Sequence, residues 1–186
     1  VLDLKTPLGQ RQITKLLTHA DIFVENQATD SLKSLGLDYD TLHQINPQLI
    51  VTSISPFGQS GPYRNYKATD LVSFHMSGYA YQIQAGVEDP ETEPPLRAGG
   101  HQAEFIAGVS AATATMMAIL LRQKTGRGTH VDLSTQEAMA MMPQGAIAQV
   151  NFGATNISRR RADRGTNSVV TLLPTSDGYI AISPRE

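Results

Sequence analysis

The stretch LIVTSIS, residues 49–55, decides the fold class of this chain. It is a short apolar run rich in β-branched residues, which is typical of a β-strand. A segment of helical character, DYDTLHQINPQ (38–48), precedes it, and DIFVEN (21–26) further upstream predicts another short, buried strand. Because strands that alternate with helices form parallel sheets, the sequence predicts an α/β fold with a parallel sheet.

Two more helices are predicted on the N-terminal side of this run. TPLGQRQITKLLTHAD (6–21) has a residue suited to the N-cap, Thr6, and a proline, Pro7, at the first helical position. SLKSLG (31–36) predicts a short helix that ends at its glycine. The two helices flank the strand predicted at DIFVEN.

Two helices and a third strand are predicted on the C-terminal side. TDLVSFHMSGYAYQ (69–82) has helical character, and a longer helix is predicted over 104–123. Alanine and glycine occupy many positions of the longer helix, and such small residues let neighbours approach closely, so we expect a central, packed helix. Gly126 ends it. THVDLS (129–134) predicts the third strand, and Ser134 with the glutamate three residues later forms a capping box.

The regular alternation of predicted helices and strands ends at about residue 143. We interpret 1–142 as part of a large domain, 143–165 as a linker and 166–186 as the beginning of a smaller α/β domain. The linker assignment rests on weak periodicity and a basic cluster, and the last segment predicts a β-hairpin around Asp177-Gly178. The chain begins without Met and stops just after a predicted strand, so we interpret it as an internal fragment.

Composition excludes several classes of function. The chain has 186 residues, of which 40% are hydrophobic, and a net charge of −2, so it has no global field that favours nucleic acid or an anionic membrane. It contains no uninterrupted run of about 18 apolar residues, so no membrane-spanning segment is expected. It has no cysteine, which excludes disulfides, thiolate metal sites and a cysteine nucleophile. A cytoplasmic location is the default expectation.

Searches for well-known motifs are mostly negative. No Gly-x-Gly-x-x-Gly follows a strand, and neither a P-loop nor a Gly-x-Ser-x-Gly motif is present. The five histidines lack the spacing of metal ligands, so no metal site is predicted. His101 is the histidine to watch, because it lies three residues before Glu104.

Glu104 has two interpretations. A glutamate in the first turn of a helix is ordinary dipole complementation, which stabilises by about 0.3–1 kcal/mol. The same helix terminus can also keep a carboxylate ionised in a dry cleft, and an ionised carboxylate can serve as a covalent nucleophile. Pattern alone does not choose between these interpretations.

Several stretches together resemble the family III CoA-transferases, which include formyl-CoA, carnitine and bile-acid CoA-transferases and the α-methylacyl-CoA racemases. They are LDLKTPLGQ, ADIFVEN, LGLDYDTLHQINPQLIVTSISPFGQSGPY, MSGY and KTGRGTHVDLSTQEA. The resemblance implies a Rossmann-like large domain, a linker and a smaller domain. It also implies an interlocked homodimer, in which two chains pass through each other like chain links.

The resemblance also implies a set of site residues and a substrate, coenzyme A bound as acyl-CoA. The family's transferases have a catalytic aspartate at the start of the helix that precedes TGRG, and that position is Glu104 here. Lys67 corresponds to a lysine that contacts CoA, and Lys33 and Leu35 lie where the family holds the same ligand. We expect Gly99 and Gly100, just before Glu104, to shape a pocket for the oxyanion.

This sequence departs from the family pattern at three further places. The usual ENFRPG is ENQATD (25–30), which lacks the arginine and the Pro-Gly. The glycine-rich loop expected near 164–168 has a single glycine, Gly165. The racemases place a catalytic histidine directly before an aspartate, and the corresponding pair here is Thr69-Asp70, which argues against a racemase.

We therefore predict an acyl-CoA:carboxylate CoA-transferase that acts on small molecules, with neither a nucleic acid nor a membrane as partner. The alternatives are a racemase or isomerase of the same family and a non-catalytic CoA-binding subunit. A nicotinamide-dependent dehydrogenase is possible on fold grounds alone, and the missing glycine fingerprint weighs against it.

Overall fold

Three parallel strands form the main sheet of the chain. The computed structural model describes residues 1–82, 86–87, 89, 91–94, 96, 98–153, 160–161 and 171–182. The strands β1 (Ile22–Glu25), β2 (Ile50–Ser55) and β4 (His130–Ser134) lie in the order β1-β2-β4, and both pairings are parallel. The predicted parallel α/β fold is confirmed.

The remaining elements surround this sheet or follow it. The helices in the described residues are α1 (Pro7–Leu17), α2 (Ser31–Ser34), α3 (Tyr39–Ile45), α4 (Asp70–Met76), α5 (Gln102–Thr125), α6 (Thr135–Ala140) and α7 (Gln144–Asn151), with a 3₁₀ turn at Tyr79–Tyr81. Two short strands, β3 (Gly86–Val87) and β5 (Arg160–Arg161), pair with each other, and β6 (Thr171–Pro174) and β7 (Tyr179–Ile182) form an antiparallel hairpin.

The predicted helix caps are present. The hydroxyl of Thr6 accepts a hydrogen bond from the Gly9 N–H at 3.1 Å, which caps α1. The Ser134 hydroxyl does the same for the Glu137 N–H at 3.2 Å and caps α6. These side chains supply acceptors for N–H groups that a helix cannot satisfy internally, so local sequence sets where both helices begin.

Helix α5 packs one stripe of small residues against the sheet and the neighbouring helices. Its buried residues recur at helical spacing: Ala103, Ala107, Ala111, Thr115 and Ala118. The Thr115 hydroxyl lies 2.7 Å from that of Thr52, a buried contact that joins α5 to β2. The helix ends at Gly126, which adopts a φ of 72° that favours glycine. The prediction of a packed helix holds for this stripe.

The opposite side of α5 exposes large apolar residues: Phe105, Val109, Met116, Met117, Leu120 and Leu121. By length and composition alone α5 could cross a membrane, although no uninterrupted apolar run signals it in the sequence. Core helices of soluble proteins have the same length and composition. The packing of the alanine stripe on the sheet accounts for the buried part of α5, and no contact among the described residues covers its exposed apolar side.

The other face of the sheet packs on the N-terminal helices. Its buried cluster comprises Leu17, Leu32, Leu37, Leu42, Leu49 and Val51. The turn before β4 approaches this layer so closely that a Cβ at Gly128 would collide with the Leu49 carbonyl. The sheet therefore lies between α5 on one face and α1, α2 and α3 on the other.

Two sequence predictions need adjustment, and the division into domains stays a prediction. Strand β1 lies at an edge of the sheet in this structure and is only partly buried, with Val24 57% exposed, because β2 covers one side alone. The helix predicted over 69–82 ends at Met76, since Gly78 adopts a φ of 80° before the 3₁₀ turn. The segment predicted as a linker contains α7, while residues 154–159 and 162–165 lie outside the described part of the chain.

Candidate active site

A cavity of about 290 Å³ opens where the three strands of the main sheet end. Asn26 directly follows β1, Pro56 directly follows β2 and Thr135 directly follows β4, and all three line this cavity. The carboxyl ends of parallel strands are where α/β proteins generally bind ligands. We call this space the strand-end cavity.

Glu104 lines the strand-end cavity from the first turn of α5. Its side chain is 64% exposed, and its Oε2 lies 3.4 Å from Nδ1 of His101, whose side chain is 71% exposed. An ion pair between two such exposed groups contributes little to stability. The carboxylate of Glu104 is therefore accessible to a ligand in the cavity.

Asp70 holds the backbone of Glu104. It is the first residue of α4, is only 7% exposed, and accepts a hydrogen bond on Oδ1 from the Glu104 N–H at 3.0 Å. The two residues are 34 positions apart in the sequence. The fold thus places a buried carboxylate behind an exposed one.

Asp70, His101 and Glu104 form a compact group whose ligand atoms all lie within 4.8 Å of one another. A histidine with two carboxylates is a donor set that divalent transition metals accept. The spacing of the histidines did not predict this cluster, because Asp70 comes from another helix. Exposed acidic groups are common without an ion, so the expectation of no metal stays a prediction.

Ser55, the last residue of β2, also lines the strand-end cavity. It is 2% exposed, and its Oγ has no hydrogen-bond partner among the described residues. Because buried hydroxyls nearly always have a partner, this atom is unusual.

Three of the predicted site residues lie near the cavity without lining it. Lys67 lies in the loop before α4, one residue ahead of the cavity-lining Ala68. Gly99 and Gly100 lead into α5, and the Gly99 carbonyl accepts a hydrogen bond from the Gln102 side chain at 3.1 Å. Their assignments to CoA and to the oxyanion stay predictions.

The other two described candidates lie elsewhere. Lys33 lines a second cavity, of about 280 Å³, between the sheet and the α2–α3 segment. Leu35 follows α2 and packs against the buried cluster of the N-terminal helices. The structure does not bring either residue into the strand-end cavity. Gly165 lies outside the described residues.

The second cavity, which we call the α2–α3 cavity, contains groups already engaged by the fold. Nε2 of His130 lies 2.9 Å from the Ser53 hydroxyl. Burial lowers the pKa of His130 below its ordinary value, against the opposing effect of nearby carboxylates. Burial alone would raise the pKa of Asp38, but hydrogen bonds from the Thr41 hydroxyl and N–H hold it below its ordinary value.

Sequence reasoning missed Asn26, Ser55, Thr135 and the role of Asp70 in the site. A signal for the first three exists, since each stands at or directly after the end of a predicted strand. The contact of Asp70 with Glu104 has no such signal, because it depends on how α4 packs against α5.

The chain is similar in sequence to named CoA-transferases. The chain is 32% identical over 98% of its length to succinate–glutarate CoA-transferase of Agrobacterium fabrum, of which it covers 44%. It is 34% identical over 97% of its length to a subunit of succinyl-CoA:(R)-benzylsuccinate CoA-transferase from Thauera aromatica, of which it covers 42%. The chain spans less than half the length of these relatives.

The chain is also similar to a solved structure. The crystal structure of a CAIB/BAIF family protein from Brucella suis matches 96% of this chain with a TM-score of 0.81 and 29% identity, and 46% of that protein is covered. The sequence model of CoA-transferase family III matches residues 1–186, the whole of the chain. The chain therefore belongs to CoA-transferase family III.

Proposed function

We propose that the protein carrying this chain is an acyl-CoA:carboxylate CoA-transferase with Glu104 as its nucleophile. The observation that carries the proposal is the accessible Glu104 carboxylate in the cavity at the strand ends. Apart from a contact with exposed His101, no described interaction of the fold occupies this carboxylate. It lies in the first turn of α5, and a glutamate carboxylate can act as a covalent nucleophile.

The first half of the proposed reaction loads CoA onto the enzyme. An oxygen of Glu104 attacks the thioester carbonyl carbon of the donor, the carbon–sulfur bond breaks, and CoA leaves as a thiolate. The product is a mixed anhydride between Glu104 and the acyl group. The thiolate then attacks the glutamyl carbonyl carbon, which releases the donor acid as a carboxylate and leaves a glutamyl-CoA thioester.

The second half repeats these steps in reverse with the acceptor. The acceptor carboxylate attacks the glutamyl thioester, CoA leaves as a thiolate, and a new mixed anhydride forms. Attack of the thiolate on the acceptor's acyl carbonyl gives the new acyl-CoA and restores the Glu104 carboxylate. This series of reactions needs no oxidant, no metal and no net proton transfer.

Binding and charge stabilisation complete the proposal. Each attack places negative charge on a carbonyl oxygen, and backbone N–H groups near Gly99 and Gly100 would stabilise it. Lys67, with Lys33 and Leu35 further along the molecule, would hold CoA. A second copy of the chain in an interlocked dimer would cover exposed apolar surface such as that of α5.

The relatives guide the choice of substrate. The Agrobacterium and Thauera proteins are named for succinate, glutarate and benzylsuccinate, which are dicarboxylic acids. We therefore propose a dicarboxylic acyl group, and succinyl-CoA is the first donor to assay, with a panel of dicarboxylates as acceptors.

The test of the nucleophile replaces Glu104 by glutamine in the intact protein. Transferase activity should fall by more than about 1,000-fold, because the carboxylate forms every covalent intermediate. Hydroxylamine or borohydride treatment during turnover should modify Glu104 in the wild type, as located by mass spectrometry. Full activity of Glu104→Gln, or a label on another residue, would contradict the proposal.

Glu137 provides a matched control. It is also an exposed glutamate three positions after the N-cap of its helix, α6, so dipole complementation applies to both residues. Glu137→Gln should lower stability about as much as Glu104→Gln, by about 0.3–1 kcal/mol, while activity is retained. Equal losses of activity in both variants would favour the structural interpretation of Glu104.

One observation favours the racemase alternative as second candidate. The imidazole of His101 lies beside the Glu104 carboxylate, and such a pair could exchange the proton next to a thioester carbonyl. Incubation of a 2-methylacyl-CoA with the enzyme in deuterated water distinguishes the two functions. Deuterium uptake without CoA transfer would replace our proposal, whereas transfer without uptake supports it.

A further inference from the structure

We infer that Asp70 is a positioning residue for Glu104: its buried carboxylate caps the first turn of α5 and so fixes the point from which the nucleophile extends. The inference rests on the proposed function of Glu104. It concerns a contact between two helices that are distant in the sequence.

Helix α5 lacks an N-terminal cap from its own segment. His101 stands at the N-cap with a φ of −106° and a ψ of 64°, and its side chain makes no capping hydrogen bond. The first N–H groups of a helix have no partner within the helix, and an N-cap side chain usually accepts from the second or third of them. Glu104 supplies the third of these N–H groups.

Asp70, which belongs to α4, supplies the acceptor that the N-terminus of α5 lacks. Its Oδ1 accepts from the Glu104 N–H at 3.0 Å, within the normal range for a hydrogen bond. Asp70 is only 7% exposed, and a buried carboxylate is tolerated where it is hydrogen-bonded. Nearby, α4 and α5 are joined by a buried apolar cluster that contains Phe74, Ala80, Ala103 and Met139.

The contact with Asp70 also determines where the side chain of Glu104 begins. The held N–H is bonded directly to the Cα, so the contact fixes the position and direction from which the side chain leaves the helix. Beyond that point, exposed His101 is the one partner of the side chain among the described residues. A glutamate has one more rotatable bond than an aspartate, so a nucleophile of this type depends more on a fixed backbone. A displacement of about 1 Å can lower a rate by about 100-fold.

The test compares Asp70→Ala with Asp70→Asn in the intact protein. The asparagine keeps an Oδ1 that can accept the Glu104 N–H, whereas the alanine keeps no acceptor. We expect Asp70→Ala to lower kcat by about 10- to 100-fold with a nearly unchanged KM for acyl-CoA. Asp70→Asn should stay within about threefold of the wild type, since the hydrogen bond persists. The rate at which hydroxylamine traps Glu104 in a single turnover should follow kcat.

Ser77 provides the structural control. It is buried just after α4, and its hydroxyl bonds the Phe74 carbonyl and the Tyr79 N–H without lining the strand-end cavity. Ser77→Ala should lower the melting temperature and leave kcat unchanged. If Asp70→Ala behaves like Ser77→Ala, Asp70 is only structural and the inference fails.

Two further outcomes are decisive. If Asp70→Asn loses as much kcat as Asp70→Ala, the charge rather than the hydrogen bond matters, which overturns the inference. If the alanine variant does not fold, Asp70→Glu takes its place: its longer side chain displaces the anchored turn, so kcat should fall while Asp70→Asn remains active. An inactive wild type, or an active Glu104→Gln, would instead contradict the proposed function.

Discussion

Two cavities of nearly equal size, one at the strand ends and one between the sheet and the α2–α3 segment, use their ionisable groups differently. The strand-end cavity, of about 290 Å³, presents an accessible glutamate, Glu104. The α2–α3 cavity, of about 280 Å³, is lined by more ionisable residues, among them Asp30, Lys33, Asp38, Arg64 and His130. By the number of ionisable residues alone, the α2–α3 cavity would be the candidate active site.

The hydrogen-bond partners of these residues favour the strand-end cavity instead. In the α2–α3 cavity Asp38 caps α3, and His130 is paired with the Ser53 hydroxyl. In the strand-end cavity the fold engages the backbone of Glu104 and leaves its carboxylate accessible. The accessible carboxylate of Glu104, and not the number of ionisable residues, therefore identifies the candidate active site.

The largest effect that sharpens this comparison is expected from Glu104→Asp. The variant has the family's usual nucleophile, but its carboxylate is withdrawn by one methylene in a site shaped for glutamate. We expect kcat to fall by about 100-fold while the covalent intermediate still forms, because a shift of about 1 Å is enough for such a loss. Stopped-flow assays of CoA transfer measure this effect. A rate equal to the wild type would show that the extra methylene has no role.

A smaller effect is expected from the two lysines, one near each cavity. Lys67→Ala should raise the KM for acyl-CoA by about tenfold, since a phosphate contact from a charged donor contributes roughly 1.5 kcal/mol. Lys33→Ala should raise it by a similar factor if CoA extends to the α2–α3 cavity. Steady-state kinetics at low salt measure both. An unchanged KM in Lys33→Ala would confine CoA binding to the strand-end side.

Asp38 should affect stability and leave catalysis intact. Asp38→Ala removes the cap of α3 and should lower the free energy of unfolding by about 1 kcal/mol at neutral pH. Because the folded pKa of Asp38 is depressed, this contribution is present above the ordinary value of 3.8 and is lost as the pH falls through the folded pKa. Urea unfolding at pH 7 and pH 3 measures the difference. A loss of kcat in this variant would break the comparison.

The smallest effect is expected from His130. Its folded pKa lies below the ordinary value of 6.5, so the unfolded chain binds a proton that the folded protein excludes, and stability falls as the pH drops through this region. His130→Gln should make stability less dependent on pH between about 7 and 5. Ser53→Ala removes the hydrogen bond but keeps the imidazole, so its pH dependence should persist. Thermal unfolding across this pH range separates the two variants.

The sequence by itself determined the three strands of the main sheet, most of the helices around them and the place of Glu104 near the start of the long helix. Runs such as LIVTSIS and THVDLS, cap residues such as Thr6 and Ser134, and the terminal Gly126 all act within a few residues of their own position. Such effects are readable from neighbouring residues because helices and strands are built from local hydrogen bonds and regular spacing. The end of α5 at Gly126 follows from such a signal, whereas its start at Gln102, two residues before the predicted one, has no side-chain cap from its own segment.

Only the tertiary structure decided which residues surround Glu104. It brought Asn26, Ser55 and Thr135 to one cavity, placed Lys33 in another, and set Asp70 against an N–H group 34 residues away. The helix within the predicted linker also became visible only there. These contacts depend on how helices pack on the sheet, and packing joins residues whose separation along the chain leaves no local pattern.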